Sequence, residues 1–205
     1  MSLLGALAPL GKVAGGRRRW LTNAAAYTLA GTLTSILVGG GLAGLGALLL
    51  PARVGLAGTL VALAVALVAI ARESGLVAVP LPQIGRQTEG LWVKRFGDRA
   101  AAILWGLDLG LVFTTWLNFS GAWLLAVVAF LSGDPLFGAA LFVAYWLGRA
   151  LSVWVGPLLM ESAKDTHWLL ESLDEQRRVF RSVQLAGLAW SVLVLGSWIA
   201  TGTAM

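Results

Sequence analysis

The chain has 205 residues, of which 58% are hydrophobic and 12% are charged, and its mean hydropathy is +0.82. The charged share is about half that of a soluble domain, which predicts an integral membrane protein and argues against a soluble enzyme. The net charge of +5 does not indicate a nucleic-acid partner, because most basic residues lie at the ends of apolar segments, where they set membrane topology. With no cysteine, the chain has no disulfide, thiolate metal site or thiol relay of its own.

The apolar segments predict an all-α fold: a polytopic transmembrane helical bundle of about five spans, forming a single membrane domain over residues 1–205. The predicted spans are residues 24–50, 54–71, 100–131, 136–160 and 183–200. As one straight helix the third span would be about 48 Å long, whereas a bilayer core is about 30 Å thick. We therefore expect the third span to tilt strongly or to break, and the long first span to break as well.

Two polar stretches separate these spans, at residues 72–99 and 161–182. Both are rich in Lys and Arg, as is Arg17-Arg18-Arg19, whereas the turn at residues 132–135 has none. The positive-inside rule therefore places both stretches at the inner surface of the cell inner membrane, with the N-terminus cytoplasmic and the C-terminus external. Residues 161–182 are predicted to form an amphipathic surface helix, and residues 72–99 an interfacial loop or a docking site for a cytoplasmic partner.

Asp108 and Arg149 are the two ionisable residues that lie well inside predicted spans. Burying a charge at membrane depth costs about 2.5–3.5 kcal/mol on insertion scales, so such residues pair or line a cavity. Three hypotheses follow: a structural ion pair between two helices, a site for a solute, an ion or a proton, or two residues that do not meet.

A second candidate site comprises hydroxyl and amide side chains at the expected breaks. Thr114, Thr115 and Asn118 lie in the middle of the third span, and Thr34 and Ser35 in the first. Such hydroxyls often bond back to carbonyls of their own helix. Alternatively they mark discontinuous helices around a midplane site, as in transporters with inverted repeats. Two inverted repeats of three helices need six spans, so with five predicted spans one repeat would lack a helix.

No metal, cofactor or catalytic group is predicted. His167 is the single histidine and lies in a charged segment without cysteine, which is a poor metal site. The sequence contains no nucleotide-binding loop, Ser/His/Asp set or paired-carboxylate site.

The segments Gly106-Leu-Asp-Leu-Gly110 through Thr114-Thr115, residues 131–138, and Tyr145-Trp-Leu-Gly-Arg149 resemble the membrane domain of the DsbD/CcdA family. The resemblance implies two inverted three-helix repeats with broken first helices. Members of that family carry reducing equivalents from cytoplasmic thioredoxin across the membrane, using Cys beside Pro in the broken helices. Here the comparable positions hold Thr34-Ser35 and Thr114-Thr115, so a thiol relay is excluded and the scaffold is what the resemblance implies.

Three functions remain open. The sparse polar content of the spans favours a subunit or scaffold of a larger inner-membrane complex, in contact with the bilayer and with other membrane subunits or further copies of itself. The charged residues and the expected breaks favour a transporter of a small solute or ion. The third hypothesis is an envelope redox or cytochrome maturation factor that uses cysteines of a partner.

Overall fold

The computed structural model describes residues 12–50, 54–80, 92–114, 119–155 and 177–201, and in these ranges the chain forms seven helices. They are α1 (Lys12–Leu49), α2 (Gly55–Glu73), α3 (Trp92–Phe96), α4 (Asp98–Gly110), α5 (Gly121–Ser132), α6 (Pro135–Val155) and α7 (Arg177–Thr201). Four segments are long and apolar enough to cross a bilayer: Gly16–Leu49, Gly55–Glu73, Pro135–Val155 and Arg181–Thr201. Helix α5 is a shorter apolar helix. The predicted all-α membrane bundle is confirmed.

The third predicted span is interrupted, as its length required. Helix α4 ends at Gly110 and α5 begins at Gly121. Between them Val112 is buried and has a φ of 62°, a left-handed conformation that β-branched residues rarely adopt. The interruption begins at Leu111, three residues before Thr114, the first hydroxyl residue of the expected break. Residues 115–118 lie outside the described residues.

The first span differs from the expectation of a broken helix. Helix α1 continues through Thr34 and Ser35, and its one non-helical residue is Gly16. The hydroxyls of Thr28, Thr32 and Thr34 donate to carbonyls four residues earlier, at 2.8, 2.8 and 3.1 Å. These hydroxyls therefore find their hydrogen-bond acceptors within their own helix, and the helix does not have to open to provide them.

The polar stretches are only partly described. Helix α2 extends two residues into the stretch 72–99, whose end contains α3 and the start of α4. Most of the stretch 161–182 lies outside the described residues, and its last residues belong to α7, which runs directly into the final span.

The chain divides into two compact units. Unit 1 comprises Met1–Ser35, Gly85–Thr115 and Ala144–Arg177, and unit 2 comprises Ile36–Ile84, Trp116–Val143 and Arg178–Met205. The core of unit 1 is rich in aromatic residues, including Tyr27, Trp105 and Trp146. The core of unit 2 is aliphatic and contains Ala62, Ala66, Leu124, Leu131 and Leu188.

Candidate functional site

Helix α4 packs closely on α1 within unit 1 through two glycines one turn apart. A Cβ on Gly106 would overlap the carbonyl oxygen of Tyr27, and a Cβ on Gly110 would overlap the Thr34 hydroxyl and the Gly31 carbonyl. Small residues at this spacing let membrane helices approach backbone to backbone. The two glycines therefore bring the end of α4 against the middle of α1.

An oxygen-rich cluster lies at this end of α4. The Thr114 hydroxyl donates to the Asp108 carbonyl at 3.0 Å and lies 3.5 Å from an oxygen of its carboxylate. The Ser35 hydroxyl donates to the Gly110 carbonyl at 3.4 Å, and Asp108 is only 6% exposed. The last carbonyls of a helix have no hydrogen-bond donor within the helix. Here the hydroxyls of Thr114 and Ser35 donate to two of them. We call Ser35, Asp108, Gly110 and Thr114 the α4-end cluster.

Four of the residues predicted from the sequence are thus brought together, since Thr34 lies against Gly110 beside this cluster. Thr115 and Asn118 lie outside the described residues. The cluster presents a carboxylate, backbone carbonyls and hydroxyls at the negative end of a helix dipole. Oxygen ligands of these kinds suit a proton or a hard cation.

Arg149 lies on α6, with its guanidinium carbon 5.8 Å from the centre of the Tyr145 ring. Its Nη1 atom is buried and has no hydrogen-bond partner among the described residues. The ion pairs found in the described ranges join Arg19 to Asp98 and Arg72 to Glu73. The pairing of Asp108 with Arg149 stays a prediction.

A second polar cluster, in unit 2, was missed by the sequence reasoning, which placed Arg72 and Glu73 in an interfacial loop and Arg181 in a surface helix. The Glu73 carboxylate accepts the Ser120 N–H at 3.0 Å and the Ser120 hydroxyl at 2.5 Å, and the Arg72 guanidinium lies 2.7 Å from it. Arg72 also donates to the Val79 carbonyl at 2.9 Å, and Arg181 donates to the Glu73 carbonyl at 2.6 Å. We call Arg72, Glu73, Ser120 and Arg181 the Glu73 network.

This network binds the end of α2 to the start of α5. Ser120 is 3% exposed and directly precedes α5, so its N–H belongs to the group of donors that a helix N-terminus leaves without partners. A carboxylate there also complements the positive end of the helix dipole. The available signal in the sequence was an Arg-Glu pair directly after an apolar run, together with Ser-Gly before the next one.

An aromatic layer joins α1 to α6 within unit 1. The indole N–H groups of Trp146 and Trp154 donate to the carbonyl and to the hydroxyl of Thr28, both at 2.9 Å. The Tyr27 and Trp146 rings lie 5.0 Å apart, and the Trp20 and Trp154 rings 6.0 Å apart. One residue of α1 therefore orients two tryptophans of α6.

A polar pocket of about 620 Å³ lies in unit 1. It is lined by Arg19, Thr22, Asn23, Phe96, Gly97, Asp98, Arg99, Ala100 and Ile103. An ion pair of 2.5 Å joins Arg19 to Asp98 at this pocket. Because Arg99 is a second base and Asp98 the single acid of the lining, the pocket carries a net positive charge.

No family model and no solved structure matches the chain. It is 29% identical over 174 residues to the methylamine utilization protein MauF of Paracoccus versutus, covering 82% of this chain and 62% of that protein. It is 27% identical over 170 residues to MauF of Methylophilus methylotrophus, covering 82% of this chain and 59% of that protein. The chain thus spans about three fifths of the length of the curated relatives it matches.

Proposed function

We propose that this chain is a membrane subunit or maturation factor of an amine-utilization system, and that it works within a larger complex of the cell inner membrane. The observation that carries the proposal is the similarity to two MauF proteins along 82% of the chain. Methylamine utilization is the role that their name states, and it comes to this chain as an inference.

The architecture agrees with a structural role for this chain in such a complex. Its helices bury glycines, aromatic rings and short hydrogen-bonded clusters, and the chain contains no cysteine with which to perform thiol chemistry. A DsbD/CcdA-like scaffold without cysteines fits a factor that assists partners whose own thiols react. The Lys and Arg distribution supports an orientation with the N-terminus in the cytoplasm and the C-terminus outside.

The test is a gene deletion in a host that grows on methylamine. We expect growth on methylamine to be lost and growth on ammonium to be unchanged, with full recovery when the tagged chain is supplied. The tagged chain, purified in mild detergent, should carry at fixed stoichiometry a second membrane protein encoded beside it. Normal growth of the deletion strain on methylamine would contradict the proposal.

The α4-end cluster favours a second candidate, a transporter of a small cation. Its ligands are all oxygens, and a carboxylate at an interrupted membrane helix is typical of cation or proton sites. Proteoliposomes containing the chain should then take up labelled methylammonium, and Asp108→Asn should abolish uptake. The exposed Asp134, which caps α6 through two backbone N–H groups, provides the control variant Asp134→Asn. A stable complex without uptake supports the subunit over the transporter.

A further inference from the structure

The hydroxyl of Tyr27 and the Nη1 atom of Arg149, both in unit 1, are buried without a hydrogen-bond partner among the described residues, as is the indole nitrogen of Trp20. Tyr27 is 0% exposed, and its hydroxyl has no partner. The Nη1 atom of Arg149 is likewise buried and without a partner. Buried polar groups are nearly always hydrogen-bonded, and a charged one is the most costly to leave unpaired. Both groups therefore have hydrogen-bonding capacity to offer a ligand.

The fold brings these two groups to the same part of unit 1. The Tyr27 ring packs against the ring of Trp146, and Arg149 follows Trp146 by three residues on α6. Residues three apart lie on the same face of a helix. The Tyr145 ring lies beside the guanidinium, with its centre 5.8 Å from the guanidinium carbon. The Tyr27 ring and Arg149 are thus both neighbours of Trp146.

We propose that Tyr27 and Arg149 bind an oxyanion, a carboxylate or a phosphate, inside the membrane-spanning part of unit 1. A guanidinium presents planar N–H groups that match two oxygens of such a group, and the phenol donates a further hydrogen bond. The positive charge of Arg149 excludes a cation from the same place. A low-dielectric surrounding strengthens its attraction for an anion.

The anion bound by Tyr27 and Arg149 can come from a lipid headgroup or from solution, and the first source is a lipid phosphate. Tyr27 follows Trp20 by two helical turns, or about 10 Å, and Trp154 is five residues beyond Arg149. Tryptophans concentrate at membrane interfaces. A lipid phosphate located near Trp20 and Trp154 is therefore within reach of an arginine that extends toward the interface along its own stem.

A soluble anion has a second approach, through the polar pocket. Asn23 lines that pocket and lies one turn before Tyr27 on the same face of α1. Arg19 and Arg99 also line it, against the single acid Asp98. A concave site with an excess of positive charge raises the local concentration of anions.

The experiment measures thermal unfolding of the purified full chain. One arm adds sodium phosphate or sodium acetate in neutral detergent, against sodium chloride at equal ionic strength. The other arm compares nanodiscs containing phosphatidylglycerol with nanodiscs of phosphatidylcholine alone. At about ten times the dissociation constant the ligand adds about 1.4 kcal/mol of stability, so we expect the midpoint to rise by about 3–6 °C. Tyr27→Phe, which removes only the hydroxyl, and Arg149→Gln should each abolish the rise, whereas the control Arg95→Gln should retain it.

A rise with the soluble salts identifies a free anion as the ligand, and a rise with phosphatidylglycerol alone identifies a lipid phosphate. No rise in either arm overturns the proposal, as does a rise that persists in Tyr27→Phe. If Arg149→Gln does not fold, Arg149→Lys replaces it, and a weaker rise is expected because lysine lacks the planar fork. The measurement uses the isolated chain, so its failure leaves the amine-utilization proposal, which growth tests, untouched.

Discussion

The Glu73→Ala substitution removes the carboxylate that binds the start of α5. In the native chain that carboxylate accepts the N–H of Ser120 at 3.0 Å and its hydroxyl at 2.5 Å, with the Arg72 guanidinium 2.7 Å away. The side chain of Glu73 is 10% exposed and Ser120 is 3% exposed. Little water is therefore available to replace the lost hydrogen bonds, and the substitution leaves buried donors without an acceptor.

The expected loss follows from these contacts. A hydrogen bond to a charged group contributes about 1.5–3 kcal/mol. Glu73→Ala removes two such bonds from Ser120, and we expect a loss of stability in the lower part of their summed range, about 3–4 kcal/mol. Arg72 keeps its hydrogen bond to the Val79 carbonyl and is 26% exposed, so its released charge is still partly solvated and the figure includes nothing for the lost ion pair. The Arg19–Asp98 pair is the matched control, since its side chains are 58% and 23% exposed. For Asp98→Ala we expect about 1 kcal/mol or less.

Thermal unfolding in a single detergent measures both variants. At about 2–4 °C per kcal/mol for a chain of this size, Glu73→Ala should lower the midpoint by about 6–16 °C, and Asp98→Ala by about 4 °C at most. Ser120→Ala added to Glu73→Ala should cost less than the sum of the two single changes, because both remove the same contacts. Equal and small losses for Glu73→Ala and Asp98→Ala would refute the assignment of the Glu73 network as the contact that holds α5.

Three further predictions concern packing, the interruption and topology. Gly106→Ala should destabilise the chain by about 1–3 kcal/mol through overpacking. Gly148→Ala, whose new methyl group meets no atom within 4 Å in the described part of the chain, should be neutral or stabilising in the same unfolding assay. Thr114→Val should lower the free energy of unfolding by about 1 kcal/mol, because it removes the hydroxyl that donates to the Asp108 carbonyl at the end of α4. An unchanged midpoint would show that another donor replaces this hydroxyl. Cysteine at position Ser132 should react with an impermeant maleimide in intact cells and cysteine at Ser162 should not, and the opposite pattern would invert the proposed orientation.

The interruption of the third span was predictable because it follows from a length. A helix from Ala100 to Leu131 is too long for a bilayer, and Thr114 and Gly121 provide groups at which it can open. The position of the opening was predicted less well. It begins after Gly110, the residue at which α4 packs closely against α1. Such a contact depends on tertiary packing, which a local pattern does not contain.

The first span was predicted wrongly from residues of the same kinds. Threonines in a long helix either open it or bond to it, and the choice depends on which carbonyls are within reach. Here Thr28, Thr32 and Thr34 bond to their own helix. The sequence also contains the GxxxG spacing at Gly40 and Gly44, which is typical of close helix packing. An added Cβ on Gly44 meets no atom within 4 Å among the described residues, whereas Gly106 and Gly110 make the close contact. Spacing identifies a candidate face but not its partner.

The Glu73 network was not predictable, because its two sides lie far apart in the sequence. Glu73 and Ser120 are 47 residues apart, and nothing local indicates that they meet. A charged residue at the end of an apolar run usually faces water or lipid headgroups, which is the interpretation that the sequence favoured for Arg72 and Glu73.

The aromatic layer also bears on the order in which the chain can be built. Thr28 receives indoles from residues 118 and 126 positions later. At about 5–20 residues per second of synthesis, α1 waits roughly 6–25 seconds in the membrane before its partners on α6 exist. During that interval it has to be stable alone. Because the hydroxyls of Thr28, Thr32 and Thr34 bond to carbonyls of their own helix, these three groups need no partner from a later helix. The uninterrupted α1 is therefore suited to enter the membrane first and to serve as the surface on which later helices of unit 1 assemble.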